Sequence, residues 1–292
     1  MVKGILIMSI FCSTISCTTN VIKGTAKQKV LKGADNKKNN SIGKTALNSD
    51  NLVINSSKNY ENGIDISWLS HGTGEKVKKG DVILIDYKVT LADGKIIDGN
   101  HLIRKSSFPF LVGYQMQTKG WDFALEQLKI GDFVRVKIPS DLARGVKGIK
   151  KEGSKEWFVP PNSVNYLSIR VIKKQIPTRV IDGVKVWVFE ENQENKIKFG
   201  KKSAIVFHCM ISSQSNPIYY NSYSSNSPYT LLLSDKGIIP GLKKALINAK
   251  KADRMYILIP AVEAYGSKGS EGFVKPNEDL FYNVLVMDVV KK

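Results

Sequence analysis

Residues 108–121, FPFLVGYQMQTKGW, decide how this chain is read. Phe108, Phe110 and Val112 alternate, which predicts a short strand with one buried face. Gly113 turns the chain, and Gly120-Trp121 opens a helix that runs on as WDFALEQLKIG. Trp121, Leu125 and Leu128 share one face of it, and Gly131 closes it. A tryptophan on the first helical turn stands where a strand face meets a helix end, so it can floor a pocket as well as fill a core. The stretch has an echo. Residues 229–242, YTLLLSDKGIIPGL, show the same alternation, loop and glycine, with Leu242 where Trp121 stands.

The echo extends in both directions. Gly63-Ile-Asp-Ile-Ser-Trp68 returns as Gly183-Val-Lys-Val-Trp187 at an offset of 120, which then becomes 121. That second offset pairs Gly120 with Gly241, Pro139 with Pro260, Ala143 with Ala264 and Gly145 with Gly266. A spacing held through strand, helix and strand marks a tandem duplication, with one copy in 59–176 and a more divergent one in 177–292. Each copy reads as a first strand (64–69; 184–189), a second (82–91; 204–211) and a hairpin, signalled by Ala92-Asp93-Gly94 in copy one and loosened to Gln214-Ser-Asn-Pro217 in copy two. The pocket strand and a single helix follow, then a strand ending in proline (133–139; 254–260) and a last strand (165–172; 280–289). Antiparallel strands around one short helix make an α+β domain whose sheet wraps the helix. The Ser- and Tyr-rich residues 212–229 read as a solvated flap. The loop from 145 to 161, with Trp157 and Phe158, is longer than its counterpart and gives each pocket a different lid.

The net charge of +18 comes from lysine, which supplies 38 of the 44 basic residues. These lysines are scattered, without the arginine clusters and interleaved aromatics of nucleic-acid readers, so no nucleic-acid partner is expected. Residues 1–17 read as an export signal: a short basic start, an apolar run too short to span a bilayer, and Thr-Ile-Ser-Cys ending at Cys17. That ending resembles a lipobox, with Thr14 in place of the usual leucine, and makes Cys17 the expected lipidation site. Residues 18–58 carry eight lysines against Asp35 and Asp50 with few large apolar side chains. They read as a flexible tether spanning about 35 Å. Cys12 leaves with the signal and Cys209 stands alone, so no internal disulfide is expected. His208 and Cys209 are neighbours on one strand and point to opposite faces, which rules out a nucleophilic dyad. No histidine lies at ligand spacing from other donors, and neither a metal nor a cofactor is expected.

The order DYKVTLADGKIID, FPFLVG, KGW, IPSDLARG and VPPNS resembles the FKBP-type peptidyl-prolyl cis-trans isomerases over the whole of the first copy. The second copy resembles them through IIPGL, IPAVEAYG and the VKP of 274–276. The resemblance implies a five- or six-stranded antiparallel sheet half-wrapped around the helix, with a shallow aromatic pocket between. It implies rotation of X-Pro bonds. The leader and tether fall outside the resemblance, and together with it they imply exported polypeptides as substrates and a protein lipid-anchored in the cell envelope, on the periplasmic side of a bacterial membrane, the outer one by preference. Carried over by position, copy one keeps Tyr87 and Asp98 as polar rim and Phe108 and Trp121 as wall and floor. Ile97 takes an aromatic place, Gln117 and Thr118 replace an aliphatic pair, Arg144 replaces a rim tyrosine and Leu167 a wall aromatic. The N–H of Thr118 is the expected donor to the substrate carbonyl. Copy two keeps Ile238, Ile239, Tyr229, Tyr265 and Tyr282, with Leu242 as floor. It has His208 for the strand tyrosine, and Ile218 or Tyr219 for the acid. Copy one is therefore the expected catalyst. The alternative is a non-catalytic pair serving as a chaperone or assembly module. Whether Arg144 fills the pocket mouth and Gln117 points into it discriminates between them.

Overall fold

A computed structural model describes residues 53–103, 107–190, 197–217 and 219–291. Cys17 and Ile218 lie outside the described residues. Copy one contains β1 (Ser56–Asn59), β2 (Asp65–Ser70), β3 (Val82–Thr90), β4 (Ile96–Gly99), β5 (Phe108–Leu111) and α1 (Lys119–Glu126). It continues with β6 (Phe133–Ile138), β7 (Ile149–Lys150), β8 (Trp157–Val159) and β9 (Asn165–Gln175). Copy two contains β10 (Arg179–Ile181), β11 (Val184–Glu190), β12 (Ser203–Ser213), β13 (Tyr220–Asn221) and β14 (Tyr229–Leu232). After these come α2 (Pro240–Leu246), β15 (Arg254–Ile259) and β16 (Leu280–Lys291).

Each copy forms a seven-stranded antiparallel sheet rather than the five or six strands implied by resemblance. The orders are β1-β2-β6-β9-β3-β4 with β5 also on β3, and β10-β11-β15-β16-β12-β13 with β14 also on β12. The extra strand in each case is a short one before the glycine turn. In copy one it is β1, which pairs with β2 from Ser56 onward and so draws the end of the expected tether into the sheet. The helices are short. α1 ends at Glu126, because residues 127–131 leave the helix through a turn and Gly131 adopts φ 96°. Leu128 is nonetheless fully buried, so the apolar face extends beyond the helix itself. The long loop of copy one carries the β7–β8 hairpin, where copy two has an isolated bridge from Ser270 to Val274.

The two sheets differ on their outer faces. β6 reads FVRVKI, burying every second residue and leaving Arg135 and Lys137 outward. β15 reads RMYILI and buries everything after Arg254, the pattern of a strand covered on both sides. The cover is copy one: Trp187, Tyr256, Leu258 and Phe281 join the apolar core of the first copy. Polar contacts fix the contact. Tyr256 donates its hydroxyl to Pro109 O at 3.0 Å, Ser212 Oγ donates to Tyr114 O at 2.8 Å, and Gln115 Nε2 donates to Gln214 O at 2.7 Å.

Candidate functional site: two unequal pockets

Trp121 takes its place because residue 120 is glycine. A Cβ there would stand 2.4 Å from Ile138 Cγ2, so any larger residue would push α1 off β6. The Trp121 ring stacks on Phe110 at 5.5 Å and meets the Tyr87 ring edge-on at 5.2 Å. Phe108 meets Tyr87 at 5.9 Å. Tyr87 donates its hydroxyl to Asp98 Oδ1 at 3.2 Å, and the Gly99 N–H donates to the same oxygen at 2.7 Å. Burial raises the Asp98 carboxyl above its usual range, against the Gly99 and Tyr87 hydrogen bonds and the Arg144 charge, which lower it. Tyr87, Asp98, Phe108 and Trp121 are thus brought together.

The pocket above them is nearly filled. The space among Ile97, Asp98, Gln117, Thr118, Trp121 and Arg144 is about 20 Å³, room for roughly one water. Arg144 Nη2 donates to Gln117 Oε1 at 2.9 Å, so the substituted rim residue and the substituted wall residue meet across the mouth. Burial lowers the pKa of the guanidinium, and the nearby Asp98 charge opposes that shift. Thr118 Oγ1 and Asn165 Oδ1 are buried without a hydrogen-bond partner among the described residues, in side chains that line this space. Leu167 is fully buried behind the lining, and Phe158 from β8 forms part of it.

Copy two is open, with a cavity of about 280 Å³. Ile238, Ile239 and Leu242 line it, with Tyr229, Tyr265 and Tyr282 as expected. Tyr229 and Tyr265 are 40% and 39% exposed and form the rim. Phe207, Phe273, Tyr219 and Tyr220 add further aromatic walls, and the lining carries no Lys, Arg, Asp or Glu among the described residues. Within residues 212–229, Tyr219, Tyr220 and Tyr229 are therefore pocket wall, while residues 224–228 are exposed as expected of a solvated flap.

Strand register corrects two positions. Tyr87 pairs with Ile169, and Cys209 pairs with Val284, the residue of β16 that matches Ile169. Cys209, not His208, holds the place of Tyr87 and lines the pocket; burial pushes its thiol up to about 12. His208 points to the opposite sheet face, where it bonds Ser222 Oγ at 3.0 Å and stacks on Tyr223. Val89 pairs with Asp98 and Ile211 with Tyr220, so Tyr220 takes the acid's place and Tyr219 that of Ile97. A shared bond supports the alignment: Asn100 Oδ1 accepts from the Tyr87 N–H, and Ser222 Oγ from the Cys209 N–H. The signal was an offset of 122, rather than 121, between the alternating runs 82–90 and 204–212.

Two sheets half-wrapped around short helices, each with a pocket at the helix N-terminus, define a tandem of one domain type. A model of the FKBP-type peptidyl-prolyl cis-trans isomerases matches residues 73–172 and 194–287, more than half the chain, which belongs to that family. It is 31% identical over 118 residues to FK506-binding protein 1 of Candida glabrata, covering 40% of this chain and 97% of that protein. It is 23% identical over 222 residues to the human peptidyl-prolyl cis-trans isomerase FKBP9, covering 73% of this chain but only 36% of that one. A crystal structure of the three FKBP domains of wheat FKBP73 covers 81% of the chain and is itself covered in full, at 22% identity and TM-score 0.39.

Proposed function

We propose that this protein is a peptidyl-prolyl cis-trans isomerase of exported, proline-containing polypeptides, and that the prolyl ring enters the pocket of copy two. The contrast between about 280 Å³ and about 20 Å³ of free space carries this reading. Twisting an X-Pro amide removes resonance against a barrier of about 18–20 kcal/mol, and the twisted form has lost charge separation. An apolar, aromatic pocket that holds the twisted form better than either planar isomer lowers that barrier, without nucleophile or metal. Copy two supplies such walls, and Ile239 stands at the N-terminal boundary of α2, where its N–H suits a substrate carbonyl. Copy one, the expected catalyst, joins in when Arg144 and Gln117 withdraw. The expected signal, Cys17 and tether support an envelope location with a lipid anchor. Loss of fatty-acid labelling in Cys17→Ala tests that placement.

The test is X-Pro exchange in a short peptide, measured by NMR with the full chain. Tyr265→Ala is expected to lower kcat/KM by about tenfold, or about 1.4 kcal/mol. Arg144→Ala is expected to raise the rate by opening the first pocket. Loss of activity in Trp121→Ala with Tyr265→Ala unchanged would return catalysis to copy one. A second reading, a module that holds peptide without rotating it, is favoured by the Arg144–Gln117 contact across the first mouth and by the absence of a carboxylate among the described residues of the open pocket. Peptide binding without faster exchange would establish it.

A further inference from the structure

A cavity of about 670 Å³ lies between the two copies, larger than either pocket and separate from both linings; Phe108, expected as a wall of the first pocket, lines this cavity instead. It sits against the outer face of the second sheet, where β11, β12, β15 and β16 face β5 of copy one. Its size falls within the roughly 300–1,000 Å³ range of clefts that bury drug-sized ligands. Phe108 and Phe189 wall it from opposite copies, and Met210, Leu285 and Met287 line the second sheet's side. Methionine is unbranched and polarizable, so such a wall repacks around side chains of different shape. Glu190 and Arg254 pair with each other at 2.8 Å, so the lining's carboxylate and guanidinium need no counter-ion from a ligand.

The polar groups discriminate further. Gln175, Asn226 and Asn283 line the cavity, and their carboxamides carry no hydrogen bond among the described residues. Each offers two donors and one acceptor oxygen. An extended polypeptide presents alternating N–H and C=O groups to such a set, whereas an acyl chain presents neither. We propose that this cavity holds an extended apolar segment of an unfolded polypeptide, its side chains between the two copies and its backbone on the three carboxamides. Phe108 links the cavity to Tyr87 at 5.9 Å, so a segment held there lies beside the first pocket. The site makes no demand for proline and does not depend on isomerase activity.

Fluorescence anisotropy of a labelled, proline-free peptide of about ten residues, alternating Val, Phe and Leu with Ser and Thr, tests this on the full chain. Saturable binding is expected. Met287 is 39% exposed, so Met287→Lys places a charge in the cavity without entering the core, and should weaken binding by about tenfold. Asn283→Ala should weaken it severalfold, and Tyr265→Ala in the second pocket should leave it unchanged. If Met287→Lys fails to fold on melting, Asn283→Ala decides. Absence of saturable binding, unchanged affinity in Asn283→Ala, or equal loss in Tyr265→Ala would overturn the proposal. So would tight binding of palmitate with none of the peptide, which would make the cavity an acyl-chain site.

Discussion

Thr118 shows how a single substitution alters a pocket without altering the fold. Its hydroxyl is buried, lacks a partner among the described residues, and makes no cap bond to α1 although Thr118 is the N-cap. Thr118→Val keeps the shape and removes the stranded group, so chemical denaturation should show equal or greater stability, by about 1 kcal/mol. A loss instead would mean that the hydroxyl is satisfied in solution. Asp122 makes the opposite kind of demand. It accepts from the Gly113 and Gln115 N–H groups at 2.9 and 2.7 Å, shaping the turn that leads to Gln117. Burial outweighs these bonds and raises its carboxyl from 3.8 to about 6. The folded state then binds the proton more tightly than the unfolded one. Stability from this group is complete at low pH and is lost as pH rises through about 6. Urea midpoints should show a gain of about 1 kcal/mol between pH 7 and pH 5 that Asp122→Asn lacks. Trp121 and Asp98 were legible because residue type and order place them. Cys209 and Tyr220 were not, because a shift of one residue in the repeat exchanges the two faces of a strand.

At the scale of elements, the sequence carried more than periodicity alone extracted from it. The alternation of FVRVKI against the unbroken RMYILI already says that one sheet faces water on its outer side and the other does not. What stayed illegible was the cover, since nothing in a strand names the surface that packs on it. The hairpin turn at Ala92-Asp93-Gly94 announced β4, whereas β13 was missed, being too brief to show a period. Glycine at the second position of α2 has a use that helix propensity hides. A Cβ on Gly241 would stand 2.3 Å from Cγ2 of the fully buried Ile259 and 3.0 Å from Glu263 O. Alanine normally favours a helix over glycine by about 1 kcal/mol. Gly241→Ala should instead destabilise the chain by about 1–3 kcal/mol in urea, because α2 cannot approach β15.

For the whole molecule, the relevant fact is that one apolar core contains side chains from both copies. Cutting between them would expose Trp187, Tyr256, Leu258 and Phe281, so the two copies should unfold in a single calorimetric transition. Two well-separated transitions would show that the shared core contributes little. Duplication commonly yields two equal sites, but here one mouth is stoppered by Arg144 and Gln117 while the other stands open. The consequence is one of stoichiometry. A rigid proline mimic should titrate the chain at one equivalent, not two, and Arg144→Ala should bring the second equivalent into view.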